Sequence, residues 1–201
     1  MAILAGLLER AGVLELQASE IGAAVANARA MVDRCEPGVP TSANPAKRLA
    51  WALVDRLVVI AASGVLAPVA RRWKAQINEN SKSAAVVEEL PEATHNTVVG
   101  FEQPDSLRDH LFVVSLAAAS DHPRNARRAE LVADLLETGQ IAHETIRVEG
   151  EGRLAQALAA IVLGDHVSVY LAFMYGIDPS PVDVIDHIKA QLAEGPNADA
   201  R

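Results

Sequence analysis

The sequence predicts an α/β fold, a three-layer sandwich with a mostly parallel sheet, preceded by helices at the amino-terminal end. Two observations carry this. Strand-like runs at residues 56–64, 110–120 and 141–152 each lead through small residues into a segment of helical spacing. The first two runs are almost wholly apolar, the pattern of strands buried on both faces, and strand–helix alternation lays such strands parallel with helices on either side.

The elements follow in order. Residues 2–34 are rich in Ala and Leu, and Ile3, Leu4, Leu7, Leu8 and then Ile21, Val25, Ala28, Val32 repeat at helical spacing, with Gly12 as a break between them. Residues 36–45 hold three prolines and small polar residues and read as a linker. Asn44 is placed to cap the next helix, with Pro45 at its first position. The run 56–64 is the first strand, ending in the Ser63-Gly64 turn, and the helix after it carries Pro68 in its first turn, where a missing N–H costs little. Residues 110–120 form a second strand, followed by a helix opened by Asp121 and closed by Gly139. Residues 141–152 are the third strand. Residues 153–176 form a long helix, too apolar to be solvated on any face, and a last helix precedes a frayed tail at 196–201. The domain proper is thus 46–195, with 1–35 as a helical appendage.

Composition narrows the function. The chain has 201 residues, half of them hydrophobic, and a net charge of -8. That balance argues against nucleic acid as a partner, which needs a basic face to displace counterions. No apolar run nears the ~20 residues of a membrane span, and the start has neither a basic leader nor a small-residue cleavage site. One cysteine, Cys35, fits a reducing compartment. The cytoplasm is therefore the expected location. The histidines show no metal spacing and the lone cysteine offers no cluster, so neither a metal nor another cofactor is expected. No glycine-rich nucleotide motif is present, and Ser63 lacks the frame of a hydrolase elbow.

The stretch 71–96, RRWKAQINENSKSAAVVEELPEATHN, holds Asn78-Glu79-Asn80 and then Pro-Glu-x-x-His-Asn. With residues 122–139 and 163–189, it resembles the bifunctional phosphoglucose/phosphomannose isomerases of the sugar isomerase (SIS) superfamily, specifically their C-terminal half, over residues 40–195. The resemblance implies aldose–ketose isomerisation of a hexose 6-phosphate through a cis-enediol. It implies Glu79 as the base, His95 as the group that helps open the ring from a neighbouring subunit, and Lys189 as a polar contact near the sugar hydroxyls. Residues 1–34 would then be the helices connecting two SIS halves. The phosphate loops and an arginine near the enediolate belong to the other half, so this chain alone is expected to be incomplete, and a homodimer is the expected assembly.

The physical reasons stand beside the resemblance. Proton abstraction next to a carbonyl needs a base that titrates near working pH, and a helix C-terminus or partial burial moves a carboxyl that way. Asn78 and Asn80 are candidates to hold the carboxylate and substrate. Ser63 and Gly64, at a helix N-terminus, are candidates for an anion, and Glu79 is expected to face a cleft beside them. Bland readings compete. Glu79 is otherwise a solvated helix end, His95 a loop histidine, Lys189 a solvated helix lysine, and Arg71, Arg72 and Lys74 a solvated face. Trp51 and Trp73 read as core or interface anchors. Asp165 reads as a cap at a kink or as the partner of an arginine. The alternative function is a non-catalytic SIS module that binds a sugar phosphate or a partner protein.

Overall fold

The computed structural model describes residue 7, residues 9–13, residue 15 and residues 17–193. The expected tail at 196–201 and most of the repeat near Leu4 lie outside the described residues. Gly12 does break the chain, at a φ of 68°.

The order of elements is α1 (Ala18–Cys35), α2 (Pro45–Leu53), β1 (Leu57–Ala62), α3 (Ala67–Ser81), β2 (Ala85–Glu89), β3 (Leu111–Ala118), α4 (Pro123–Thr138), β4 (Ala142–Val148), α5 (Gly152–Met174) and α6 (Asp183–Ala193). Short helical turns at Glu92–His95, Thr97–Gly100 and Leu107–His110 bridge β2 to β3. The four strands are all parallel, in the order β2-β1-β3-β4. Strand β2 is an addition to the three expected.

The alternation of side chains divides the core into two layers. Val58 and Ile60 of β1 and Phe112, Val114 and Leu116 of β3 point to the face covered by α2, α3 and α5. Val59, Leu111 and Val113 point to the face covered by α4 and the bridging turns. A strand with apolar neighbours on both sides needs apolar residues at every position, which is why β1 and β3 read as uninterrupted runs.

Helix α5 is the axis of the first layer and packs against α1, α2 and α3. By length and composition it is apolar enough to cross a membrane, which corrects the expectation that no run comes close. Half of that stretch is buried within the domain, where α5 serves as a core helix. It passes Gly164-Asp165 without interruption, and Asp165 pairs with Arg72 at 2.9 Å rather than capping a kink. Trp73 is buried while Trp51 is 70% exposed, so only the first is a core anchor.

The segment 36–45 is pinned rather than loose. Asn44 is fully buried, its Oδ1 accepts from the Lys47 N–H at 3.0 Å, and its Nδ2 donates to the Glu36 carbonyl at 3.1 Å. Lys47 Nζ donates to the carbonyls of Pro37 and Val39. Tyr170 Oη donates to the Cys35 carbonyl at 2.6 Å, and burial pushes the Cys35 thiol above its ordinary range. Asn44→Ala removes a cap and leaves the part-buried Lys47 N–H without its acceptor, while the Glu36 carbonyl keeps the Val39 N–H. Urea unfolding should show a loss of about 1–3 kcal/mol, and an unchanged midpoint would contradict this account of the segment.

Candidate active site

In a parallel α/β unit the helix runs back against its strand. Strand β1 ends at Ala62, turns through Ser63 and Gly64, and α3 returns along the sheet. Glu79 lies in its last turn, on the order of 18 Å of helix rise beyond Ala67. It therefore stands at the amino end of the sheet, where the Ala84 carbonyl accepts from the Val58 N–H. The expectation that Glu79 faces a cleft beside Ser63-Gly64 is corrected by this direction.

The predicted residues fall into two groups. Ser63, Gly64 and His95 are at the carboxyl end, where Leu90 N–H donates to the Ala62 carbonyl just before the Glu92–His95 turn. Asn78, Glu79 and Asn80 are at the amino end. So is the loop at 176–182, because α5 also runs back along the sheet, and α6 with Lys189 follows that loop.

At the carboxyl end, Ser63 is buried and its Oγ donates to Asp121 Oδ1 at 2.9 Å. Asp121 Oδ2 accepts from the Ala118 N–H at 2.9 Å. A Cβ on Gly64, whose φ is 54°, would stand 3.2 Å from the same carboxylate. The turn expected to take an anion is thus already filled by one of the chain's own carboxylates. Asp121 is accordingly not the cap of α4. His122 is, its Nδ1 accepting from the Arg124 N–H. His95 is exposed, and its ring has no partner among the described residues.

At the amino end, the residues around Glu79 are tied down. Asn78 Nδ2 donates to the Ser83 carbonyl at 2.7 Å, Asn80 Nδ2 to Ser168 Oγ on α5 at 2.8 Å, and Ser81 Oγ to the Ile77 carbonyl at 2.6 Å. The two amides therefore hold the turn and not the carboxylate, contrary to expectation. The Glu79 side chain is exposed and has no partner among the described residues. The partial burial expected for a base is not supplied within this chain. Lys82, part of the Asn-Glu-Asn-x-Lys motif, ends α3 in the left-handed conformation, with φ at 56°. A groove of about 370 Å³ opens beside it, lined by Asp55, Arg56, Ser81, Lys82, Ser83 and Tyr175 among others. Lys189 is exposed on α6 and faces Asp186 at 3.4 Å, as a solvated helix lysine would. Arg71 likewise pairs with Glu89 at 2.8 Å. No three His, Cys, Asp or Glu side chains among the described residues converge as a metal site.

What this arrangement supports is a rigid turn presenting one unengaged carboxylate. The signal missed in the sequence was direction: the length of α3 alone puts its last turn at the opposite end from its first.

Comparison with known proteins bears on the family. The family described as bacterial phospho-glucose isomerase C-terminal SIS domain matches residues 42–192. A bifunctional phosphoglucose/phosphomannose isomerase of Caldicellulosiruptor bescii is 39% identical over 189 residues, covering 94% of this chain and 56% of that protein. The protein of the same name from Aquifex aeolicus is 38% identical over 146 residues, covering 73% of this chain and 45% of its own length. The chain thus spans about half the length of the curated relatives it matches. The crystal structure of a glucose-6-phosphate isomerase like protein from Thermus thermophilus superposes with a TM-score of 0.72 at 27% identity, over 86% of this chain and 57% of that one. On the match across residues 42–192, the chain belongs to the family of bacterial phospho-glucose isomerase C-terminal SIS domains.

Proposed function

We propose that this chain is the base-bearing C-terminal half of a cytoplasmic aldose–ketose isomerase. It would convert glucose 6-phosphate and mannose 6-phosphate to fructose 6-phosphate. The observation that carries this reading is the unengaged Glu79 carboxylate on a turn whose neighbouring polar groups are all committed to holding it.

The chemistry follows from that carboxylate. In the open-chain aldose, Glu79 takes the proton from C2. The electron pair forms the C1–C2 double bond while the C1 carbonyl pair moves onto the C1 oxygen. The C2 hydroxyl proton passes to that oxygen, the abstracted proton returns from Glu79 to C1, and the C2 oxygen becomes the carbonyl. The reaction is balanced within the substrate and needs no cofactor. His95 is the group proposed to open the ring, since an imidazole has two ring nitrogens that can donate and accept a proton. Within one chain it lies at the opposite end of the sheet from Glu79. That separation favours a homodimer in which the His95 of one copy meets the Glu79 of another. Exposed apolar residues such as Trp51, Ile21 and Val25 offer surface for association. Lys189 is a proposed contact to sugar hydroxyls, on the element that follows the loop beside Glu79. Ser63 and Gly64 are engaged by Asp121, so the phosphate grip, and a cation for the enediolate, are assigned to a second SIS half. Sugar phosphate and that half are the proposed partners.

The test is a coupled assay for both substrates on the 201-residue chain, and on the chain fused behind the upstream half of the Caldicellulosiruptor bescii relative. Turnover only by the fusion is expected, because phosphate binding energy supports the chemical step as well as affinity. Turnover by the short chain would show the phosphate site to be misassigned. Inactivity of both, with folding intact, would favour a module that binds a partner protein, since Asp121 closes the Ser63 turn to an anion.

A further inference from the structure

The end of α3 draws together two segments far apart in sequence. Lys82 Nζ donates to the Glu79 carbonyl, to the Asn80 carbonyl at 3.5 Å and to the Pro179 carbonyl at 3.3 Å. The last carbonyls of a helix have no partner within it and carry the negative end of its dipole, so a cation is favourable there. A capping lysine needs only those carbonyls. This one also reaches the loop between α5 and α6, where Asp178 Oδ1 accepts from the Ser180 N–H at 2.9 Å. That backbone N–H is the main cause holding the Asp178 carboxyl below its ordinary range, and the Lys82 charge adds to it.

We propose that Lys82 is a positioning residue, whose ammonium group locks the Glu79 turn to the 178–181 loop and so fixes where the Glu79 carboxylate points. The inference rests on Glu79 being the base. It adds that the 178–181 loop forms a wall of the same site, on the side from which α6 and Lys189 depart. The wall holds a carboxylate, the Ser180 hydroxyl and the Pro179 carbonyl, which are acceptors suited to sugar hydroxyls. A substrate bound at Glu79 would meet these groups only while Lys82 holds the loop in place.

The experiment uses two variants and two readouts. Lys82→Met keeps the stem and removes the donors. Lys82→Arg keeps a cation that can reach several carbonyls. Hydrogen–deuterium exchange on the 201-residue chain should rise by about tenfold or more at residues 177–182 in Lys82→Met, with the sheet unchanged, and stay within about threefold of the parent in Lys82→Arg. In the active fusion, Lys82→Met should lower kcat by about 10–100-fold with KM within about twofold, because a misplaced base costs rate before affinity. Lys82→Arg should restore most of it. A lysine serving only as a helix cap would lower the melting temperature and move neither readout. Unchanged exchange at 177–182 in Lys82→Met overturns the clamp whatever Glu79 does. Full turnover by Glu79→Gln overturns the base, and with it the aiming role of Lys82, while leaving the exchange result to stand by itself.

Discussion

Glu79→Gln is expected to lower the turnover of the completed assembly by about 10²–10⁴-fold, the usual contribution of a positioned general base. Glutamine keeps the size and polarity of the side chain and loses only the ability to take the proton, so KM should change little. Folding should be unaffected. The carboxylate is exposed and unpartnered among the described residues, and surface changes of this kind stay within about 0.5 kcal/mol. His95→Ala should cost a comparable factor with cyclic substrate. The two variants together test the geometry. Glu79 and His95 of one copy stand at opposite ends of the sheet, so each site must draw on two copies if both act on one sugar. Mixing the two inactive variants under conditions that exchange subunits should then restore activity, to about a quarter of the parent sites at random pairing in a two-fold dimer. No recovery after demonstrated exchange would place both residues' work within one chain or remove His95 from it. Retained activity in Glu79→Gln alone would end the assignment of the base.

Much of the fold could be read from the residues because burial on both faces leaves a plain mark. Val58 to Ala62 and Leu111 to Leu116 are buried throughout, and their runs have few polar interruptions. Strand β2 escaped notice for the opposite reason. Ala85–Glu89 is a five-residue edge strand that carries two glutamates at its end, and such a strand looks like the loop around it. Caps were legible where a single geometry satisfies the helix, as at Asn44-Pro45. They were not where two candidates sit side by side. Asp121 and His122 both precede Pro123, and only the fold shows that Ser63, far earlier in the chain, claims the aspartate. The candidate site residues were legible as a motif, but their grouping was not. Asn78 and Asn80 looked like ligands of the carboxylate between them. On a helix, neighbours at i±1 point away from each other, and these two reach Ser83 and α5 instead.

Gly164→Ala is expected to destabilise the chain by about 1–5 kcal/mol, and the reason lies in how α3 crosses α5. A Cβ at Gly164 would stand against Nε1 of Trp73, inside the indole ring's van der Waals surface. Trp73 is 1% exposed, and its Nε1 donates to the Ala160 carbonyl at 2.8 Å, so the ring has no room to retreat without breaking that bond. Alanine gains about 1 kcal/mol in helix propensity over glycine. Against this stand about 1–3 kcal/mol of overpacking and about 1–3 kcal/mol for an indole N–H left buried without a partner. The steric terms win. At about 2–4 °C per kcal/mol for a chain of this size, the melting temperature should fall by roughly 2–20 °C. Trp73→Ala should cost about 3–5 kcal/mol through the cavity it leaves. The decisive measurement is the double variant. Once the indole is gone, the three atoms nearest a methyl at 164 are gone with it, so Gly164→Ala should be neutral or mildly stabilising in the Trp73→Ala background, a coupling well beyond the additive range for independent sites. A Gly164→Ala penalty of equal size in both backgrounds would show that the glycine matters for some reason other than the indole. The same crossing bears on the site. Ser168 lies one turn beyond Gly164 and receives the bond from Asn80, so forcing the helices apart at Trp73 should also loosen the Glu79 turn. Gly164→Ala in the active assembly should therefore lose kcat at temperatures where it is still fully folded, and unchanged kcat there would separate the packing of α3 on α5 from the placement of the base.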